Sequence, residues 1–236
     1  MTSIIHRDKL EAGREDDRGI AIFKDRQEAG RRLAEALVNF KGKDTIVLAI
    51  PRGGVVVAYE IAQVLGAPLD IIIPRKIGAP MNPELAIGAV SQDGTVVLND
   101  DYIKYLSISH RFIESEVSEQ IKEIERRMRL YRPQFKPLPI LEGKVVIIVD
   151  DGIATGATIK AALKSIRSQK PQELVIAIPV GPEDTINLLK READQVICLE
   201  IPHSFNAVGD FYEDFRQTED EEVIELLKRS SSQKTS

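Results

Sequence analysis

Apolar positions along this chain switch between two rhythms, and the switches predict its elements. Ala29, Leu33, Ala36, Leu37 and Phe40 recur at helical spacing behind Asp25, a residue suited to capping, and Gly42 ends the run. Residues 45–50 are a short β-branched run that reads as a buried strand, broken by Pro51, Arg52, Gly53 and Gly54. Residues 55–65 return to helical spacing and stop at Gly66, and residues 69–73 are a second buried strand stopped by Pro74. Helix, strand, helix, strand in this order predicts a parallel sheet with crossovers.

Residues 75–83 read as irregular, with Gly78, Pro80 and Pro83 and the adjacent cations Arg75 and Lys76. Residues 86–90 and 95–98 flank Gln92, Asp93 and Gly94, which makes a hairpin. Over residues 108–131, Ile113, Val117, Ile121, Ile124, Met128 and Tyr131 step by three or four through a charged sequence. That is an amphipathic helix inserted into the body, with a dimer contact or a lid as the other readings. Residues 133–139 read as a rigid proline linker. Residues 144–149 form a third buried strand, followed by a helix at 159–168, a strand at 174–179, a helix at 183–191, a strand at 195–199 and a short helix at 223–228.

The expected fold is α/β: a parallel five-stranded sheet flanked by helices, with an inserted helix. Residues 1–229 are expected to form one domain, with the insertion at about 100–140. Residues 230–236 are polar and expected to be disordered.

Composition narrows the function. The chain has 236 residues with 43% apolar and 29% charged, an ordinary globular balance. A net charge of −5 without basic blocks is a poor match to a nucleic-acid binder. The single cysteine, Cys198, cannot form an internal disulfide and reads as a small buried hydrophobe. His6, His110 and His203 lie far apart without metal-ligand spacing. The polar start of the chain is unlike a leader, and no apolar run approaches the roughly 20 residues of a membrane span. A cytoplasmic protein that touches neither nucleic acid nor membrane is expected.

The chemistry concentrates where the third strand ends. Asp150 and Asp151 are adjacent carboxylates at the carboxyl end of a central strand, the edge at which open α/β sheets bind ligands. A ribose diol, or waters on a magnesium ion, would give two repelling acids a reason to sit there. Gly152, Ala154, Thr155, Gly156, Ala157 and Thr158 follow, small enough for the backbone to approach an anion. The next helix would aim its free N–H groups at the same point. No lysine follows, so this is not the nucleotide P-loop pattern.

Residues 145–158 closely resemble the signature of the type I phosphoribosyltransferases, which bind 5-phosphoribosyl 1-pyrophosphate (PRPP). The resemblance implies that Asp150 and Asp151 hold the ribose diol and meet a magnesium ion mainly through water. It implies that Gly152 and residues 154–158 hold the 5-phosphate, with the Thr155 and Thr158 hydroxyls. Arg52, Gly53 and Gly54 resemble the family's pyrophosphate loop, with Arg52–Gly53 as the candidate for its cis peptide bond. Arg75 and Lys76 resemble the mobile catalytic loop, where two cations would neutralise the leaving pyrophosphate. The resemblance also implies a C-terminal hood at about 201–217, where Phe205, Val208 and Gly209 resemble the acceptor site in which an aromatic ring stacks on the base. Ala154 stands where members acting on 6-oxopurines carry an aspartate, which lowers the expectation of such an acceptor.

The function implied is transfer of the 5-phosphoribosyl group from PRPP to a nitrogen acceptor, a nucleobase or similar heterocycle, with Mg2+ as cofactor and release of pyrophosphate. This is nucleotide-salvage chemistry, and the family's habit implies a homodimer. The alternatives are a PRPP-sensing regulator with little or no transfer and another activity on a phosphorylated ribose. Arg75 and Lys76 favour the enzyme over the sensor.

Overall fold

Valine and isoleucine runs too uniformly apolar to leave one side in water become strands covered on both faces. In the computed structural model, which describes residues 22–132 and 139–232, β1 (Thr45–Ala49) and β6 (Val145–Val149) are buried at every position. With β2 (Leu69–Ile71), β7 (Glu173–Val180) and β8 (Gln195–Glu200) they form a five-stranded sheet in the order β2-β1-β6-β7-β8. Every pairing in it is parallel.

The chain divides into two compact units. The first contains this sheet and takes the described residues 22–71, 141–155 and 171–232. Helix α1 (Arg26–Ala36) begins at the expected cap, where Asp25 Oδ1 accepts from the Glu28 N–H at 2.7 Å. It packs on β7 and β8, and α2 (Gly53–Leu65) packs on β1 and β6. The two helices touch closely: a Cβ on Gly30 would lie 2.8 Å from the Val57 carbonyl oxygen. Helix α6 (Glu183–Leu189) lies on β8 and α7 (Asp220–Ser232) on α2 and β2. The five-stranded parallel sheet flanked by helices is thus as expected.

The tail differs from expectation. Residues 230–232 continue α7: Ser230 is buried, and Ser231 and Ser232 each donate their hydroxyl to the Lys228 carbonyl. Short hydroxyl side chains can extend a helix by bonding back to the preceding turn. Residues 233–236 of the tail, and 133–138 of the expected linker, lie outside the described residues.

The second unit, the described residues 72–132, 139–140 and 156–170, is broader than the expected insertion. Residues 75–83 are not irregular. They supply β3 (Arg75–Ala79) and the start of β4 (Asn82–Val90), paired antiparallel with register shifts around Gly78 that accommodate the glycine and prolines. The hairpin at Gln92–Gly94 is present, joining β4 to β5 (Val96–Leu98). A short helix that the periodicity missed, α3 (Asp100–Tyr105), is capped by Asn99 and buries none of its residues. Helix α4 (His110–Tyr131) lays Ile113, Ile124 and Tyr131 against β3 and β4, and α5 (Ala157–Ser168) packs on the same small sheet. Among the described residues, no helix is long and apolar enough to cross a membrane.

Candidate active site

Strands β1 and β6 run in register, with Ala49 opposite Val149, and the Ile50 N–H donates to the Val149 carbonyl at 2.9 Å. Both therefore end at one level. Residues 51–54 and the acid pair Asp150–Asp151 emerge side by side at the carboxyl edge of the sheet, where α/β folds bind ligands.

The approach is close enough to exclude side chains. A Cβ on Gly53 would stand 1.9 Å from Asp151 Oδ2 and 2.6 Å from Arg26 Nε. One on Gly54 would stand 2.9 Å from both the Asp150 Cα and the Val149 carbonyl oxygen. The Gly-Gly step is what lets this loop close on the two carboxylates. A cis peptide is present at Pro51–Arg52, one bond earlier than expected. The Arg52 guanidinium is partly exposed and lies 3.7 Å from Asp220 Oδ1 at the start of α7.

The two acids have different surroundings. Asp151 Oδ2 accepts from Arg26 Nε at 2.6 Å, and the Asp151 carbonyl accepts from the Tyr212 hydroxyl at 2.6 Å. Asp150 Oδ1 accepts from the Asp151 N–H at 2.9 Å. Burial, then the adjacent Asp151 charge, raises the Asp150 carboxyl well above the usual carboxylate range, and Arg26, bonded to Asp151 instead, offsets only part of this. Burial and Asp151 also push the Tyr212 phenol up, so it remains a protonated donor.

Beyond the acids, Gly152 adopts φ +153°, and a Cβ there would meet Val208 at 2.4 Å. The loop is pinned by Ile153 N–H to the Val180 carbonyl and by the Thr185 hydroxyl to the Ala154 carbonyl at 2.7 Å. Ala154 and Thr155 are exposed. Gly156, in the left-handed conformation, precedes α5, whose first residues are Ala157 and Thr158.

The hood candidates also find places in the first unit. Phe205 stacks on Phe211 at 5.4 Å between ring centres, and Val208 and Gly209 begin a turn of 3-10 helix. A Cβ on Gly209 would meet the Phe215 ring at 2.9 Å. Arg75 and Lys76 belong to the second unit, on β3. Arg75 Nε donates to Gln120 Oε1 on α4 at 3.0 Å, and burial, with Arg127 nearby, lowers its affinity for its proton.

Sequence reasoning missed Arg26, Thr185 and the role of Tyr212. Two adjacent carboxylates call for a cation, but with 32 lysines and arginines in the chain nothing local singled out Arg26.

Residues 21–216 match the phosphoribosyl transferase domain family, and the chain belongs to that family. Two proteins of Mycobacterium tuberculosis strains, named "Putative phosphoribosyl transferase" MT0597 and Rv0571c, are 44% identical over 209 residues, 89% of this chain and 47% of theirs. The chain spans about half the length of these curated relatives. The crystal structure of TT1426 from Thermus thermophilus matches with a TM-score of 0.75 and 40% identity, over 88% of this chain and 98% of that one.

Proposed function

We propose that the protein transfers the 5-phosphoribosyl group of PRPP to a nitrogen acceptor, a nucleobase or similar heterocycle, and releases pyrophosphate. The observation that carries this reading is the fit of Gly53 and Gly54 against Asp151 and Asp150, which sets a loop of bare backbone beside two acids. In the transfer, the bond from C1 to the pyrophosphate oxygen breaks with its electron pair, the acceptor nitrogen bonds to C1, and that nitrogen loses its proton. Positioning and charge stabilisation supply most of the catalysis.

Asp150 and Asp151 orient the ribose, and Gly152 with residues 154–158 takes the 5-phosphate. Arg52, Gly53 and Gly54 meet pyrophosphate, and Arg75 and Lys76 keep the leaving-group role that the resemblance assigns them. Phe205, Val208 and Gly209 face the acceptor. Among the described residues no three His, Cys, Asp or Glu side chains gather as a metal site. Asp150 and Asp151 would hold a magnesium ion mainly through water, and it would offset charge on the pyrophosphate. Ala154 at the aspartate position argues against a 6-oxopurine acceptor. A cytoplasmic homodimer belongs to the same reading; sedimentation of the purified chain tests the dimer.

Pyrophosphate release from PRPP and magnesium, measured across a panel of nucleobases with an acceptor-free control, tests the proposal. Release with one base well above the control supports the transferase and names its acceptor. PRPP binding without release from any base would favour the sensor.

A further inference from the structure

One cation connects the ribose acids to the acceptor hood. Arg26 is the first residue of α1, and its side chain is only 10% exposed. Its guanidinium has three distinct partners. Nε donates to Asp151 Oδ2 at 2.6 Å, Nη1 donates to the Arg216 carbonyl at 2.8 Å, and the planar group lies 3.8 Å from the centre of the Phe215 ring. Phe215 in turn packs on Tyr212 at 4.9 Å, and the Tyr212 hydroxyl returns to the Asp151 carbonyl. Asp151, Arg26, Phe215 and Tyr212 therefore close a ring of contacts. Phe215 also lies under Gly209, and Val208 lies against Gly152. The acceptor candidates thus rest on the same ring that fixes the acid.

We infer that Arg26 is a positioning residue that couples ribose-phosphate binding at Asp151 to order in the acceptor hood, a role that rests on the transferase reading above. Asp151 cannot shift toward a ribose diol without moving the guanidinium. The guanidinium cannot move without disturbing Arg216 and Phe215. Binding of PRPP would then firm the hood before an acceptor arrives. Only arginine has the required shape: a fork that serves two acceptors while its flat face stacks on a ring. Lysine keeps the charge but neither the fork nor the face. Arg26 also borders a polar cavity of about 100 Å³ shared with Arg216, Thr218 and Glu222, so a shorter side chain would admit water toward Asp151.

The test uses the full chain as wild type, Arg26→Lys and Arg26→Gln. Affinity for PRPP with magnesium is measured by calorimetry, and amide hydrogen exchange across residues 205–215 is measured with and without PRPP. The ligand-dependent part of that exchange is a readout that a merely structural role would not move. Wild type should bind and gain protection in the hood. Arg26→Lys should keep its affinity within about threefold yet lose most of the PRPP-induced protection, because the charge pair survives and the stack and second bond do not. Arg26→Gln should lose about tenfold or more in affinity. Removing one partner of a buried ion pair endangers the fold; should Arg26→Gln fail to fold, Arg26→Lys decides alone. Full hood protection in Arg26→Lys overturns the inference, as does a wild type that binds PRPP without any change in hood exchange. A wild type that does not bind PRPP overturns the transferase reading, and the inference with it.

Discussion

The ribose end of the site and the hood are built on opposite principles. At the ribose end, backbone meets carboxylate so tightly that a single methyl group at Gly53 would collide with Asp151. At the hood, four aromatic rings, Phe205, Phe211, Tyr212 and Phe215, lean on one another at 4.9 to 5.4 Å, in stacked and tilted pairs that many side-chain sets could supply. In the proposed transfer the tight end holds the donor and the aromatic end holds the acceptor. On that reading, a tightly fitted acid loop beside an aromatic lining would let one fold keep its donor while its acceptor changes.

The comparison breaks first at the acids. Asp150→Asn together with Asp151→Asn should weaken PRPP binding by on the order of a hundredfold, since charged acceptors are lost where nothing replaces them. Calorimetry checks this, with circular dichroism to show an intact fold; unchanged affinity would remove the acid pair from the site. Next, Gly53→Ala should cost roughly 1–3 kcal/mol in stability through overpacking. It should also lower PRPP affinity, because its Cβ can be admitted only by parting Arg26 from Asp151. Urea unfolding and calorimetry measure the two effects. A neutral result would mean that the loop relaxes easily.

Phe205→Ala sharpens the contrast from the other side. It should raise the acceptor KM by about tenfold while leaving PRPP affinity within about twofold, the energy of one aromatic stack. Initial rates with the acceptor found in the nucleobase panel decide it. A larger fall in PRPP affinity would mean that the hood acts on the donor through the ring of Asp151, Arg26, Phe215 and Tyr212.

The smallest effect concerns pH. The folded Asp150 carboxyl is raised above its unfolded value, so the folded state holds its proton longer. Its contribution to stability is then full below the unfolded pKa and is lost as pH rises through the folded one. Asp150→Asn alone should raise the Tm at about pH 7 and leave it unchanged near pH 3. An equal shift at both would trace the effect to packing rather than ionisation.

The parallel sheet was legible because its strands are short, uniformly apolar and β-branched, and because helical spacing separates them. The acid pair and the glycine loop were legible because adjacent like charges and paired glycines are costly without a use. The β3–β4 hairpin was hidden: Pro80, Pro83 and Gly78 argue against a strand locally, and the irregular register that accommodates them is a property of the pairing. Arg26 was hidden for a related reason. Its partners, Asp151 and Arg216, stand 125 and 190 residues away along the chain, and no local pattern encodes such a meeting.

The segment just ahead of α1 has a consequence of its own. The N–H groups of Ile22 and Phe23 donate to the Phe211 carbonyl, and the Phe23 and Lys24 carbonyls accept from the N–H groups of Glu213 and Asp214. Phe23 is wholly buried under Tyr212. Three consecutive residues near one end of the chain therefore act as the splint for a stretch near the other. A protease that nicked the chain after Lys24 would leave the sheet and its acids covalently whole, yet it would unstrap residues 211–214. Such a clipped protein would also slacken the bond from the Tyr212 hydroxyl to the Asp151 carbonyl, so damage at the margin would reach the acids.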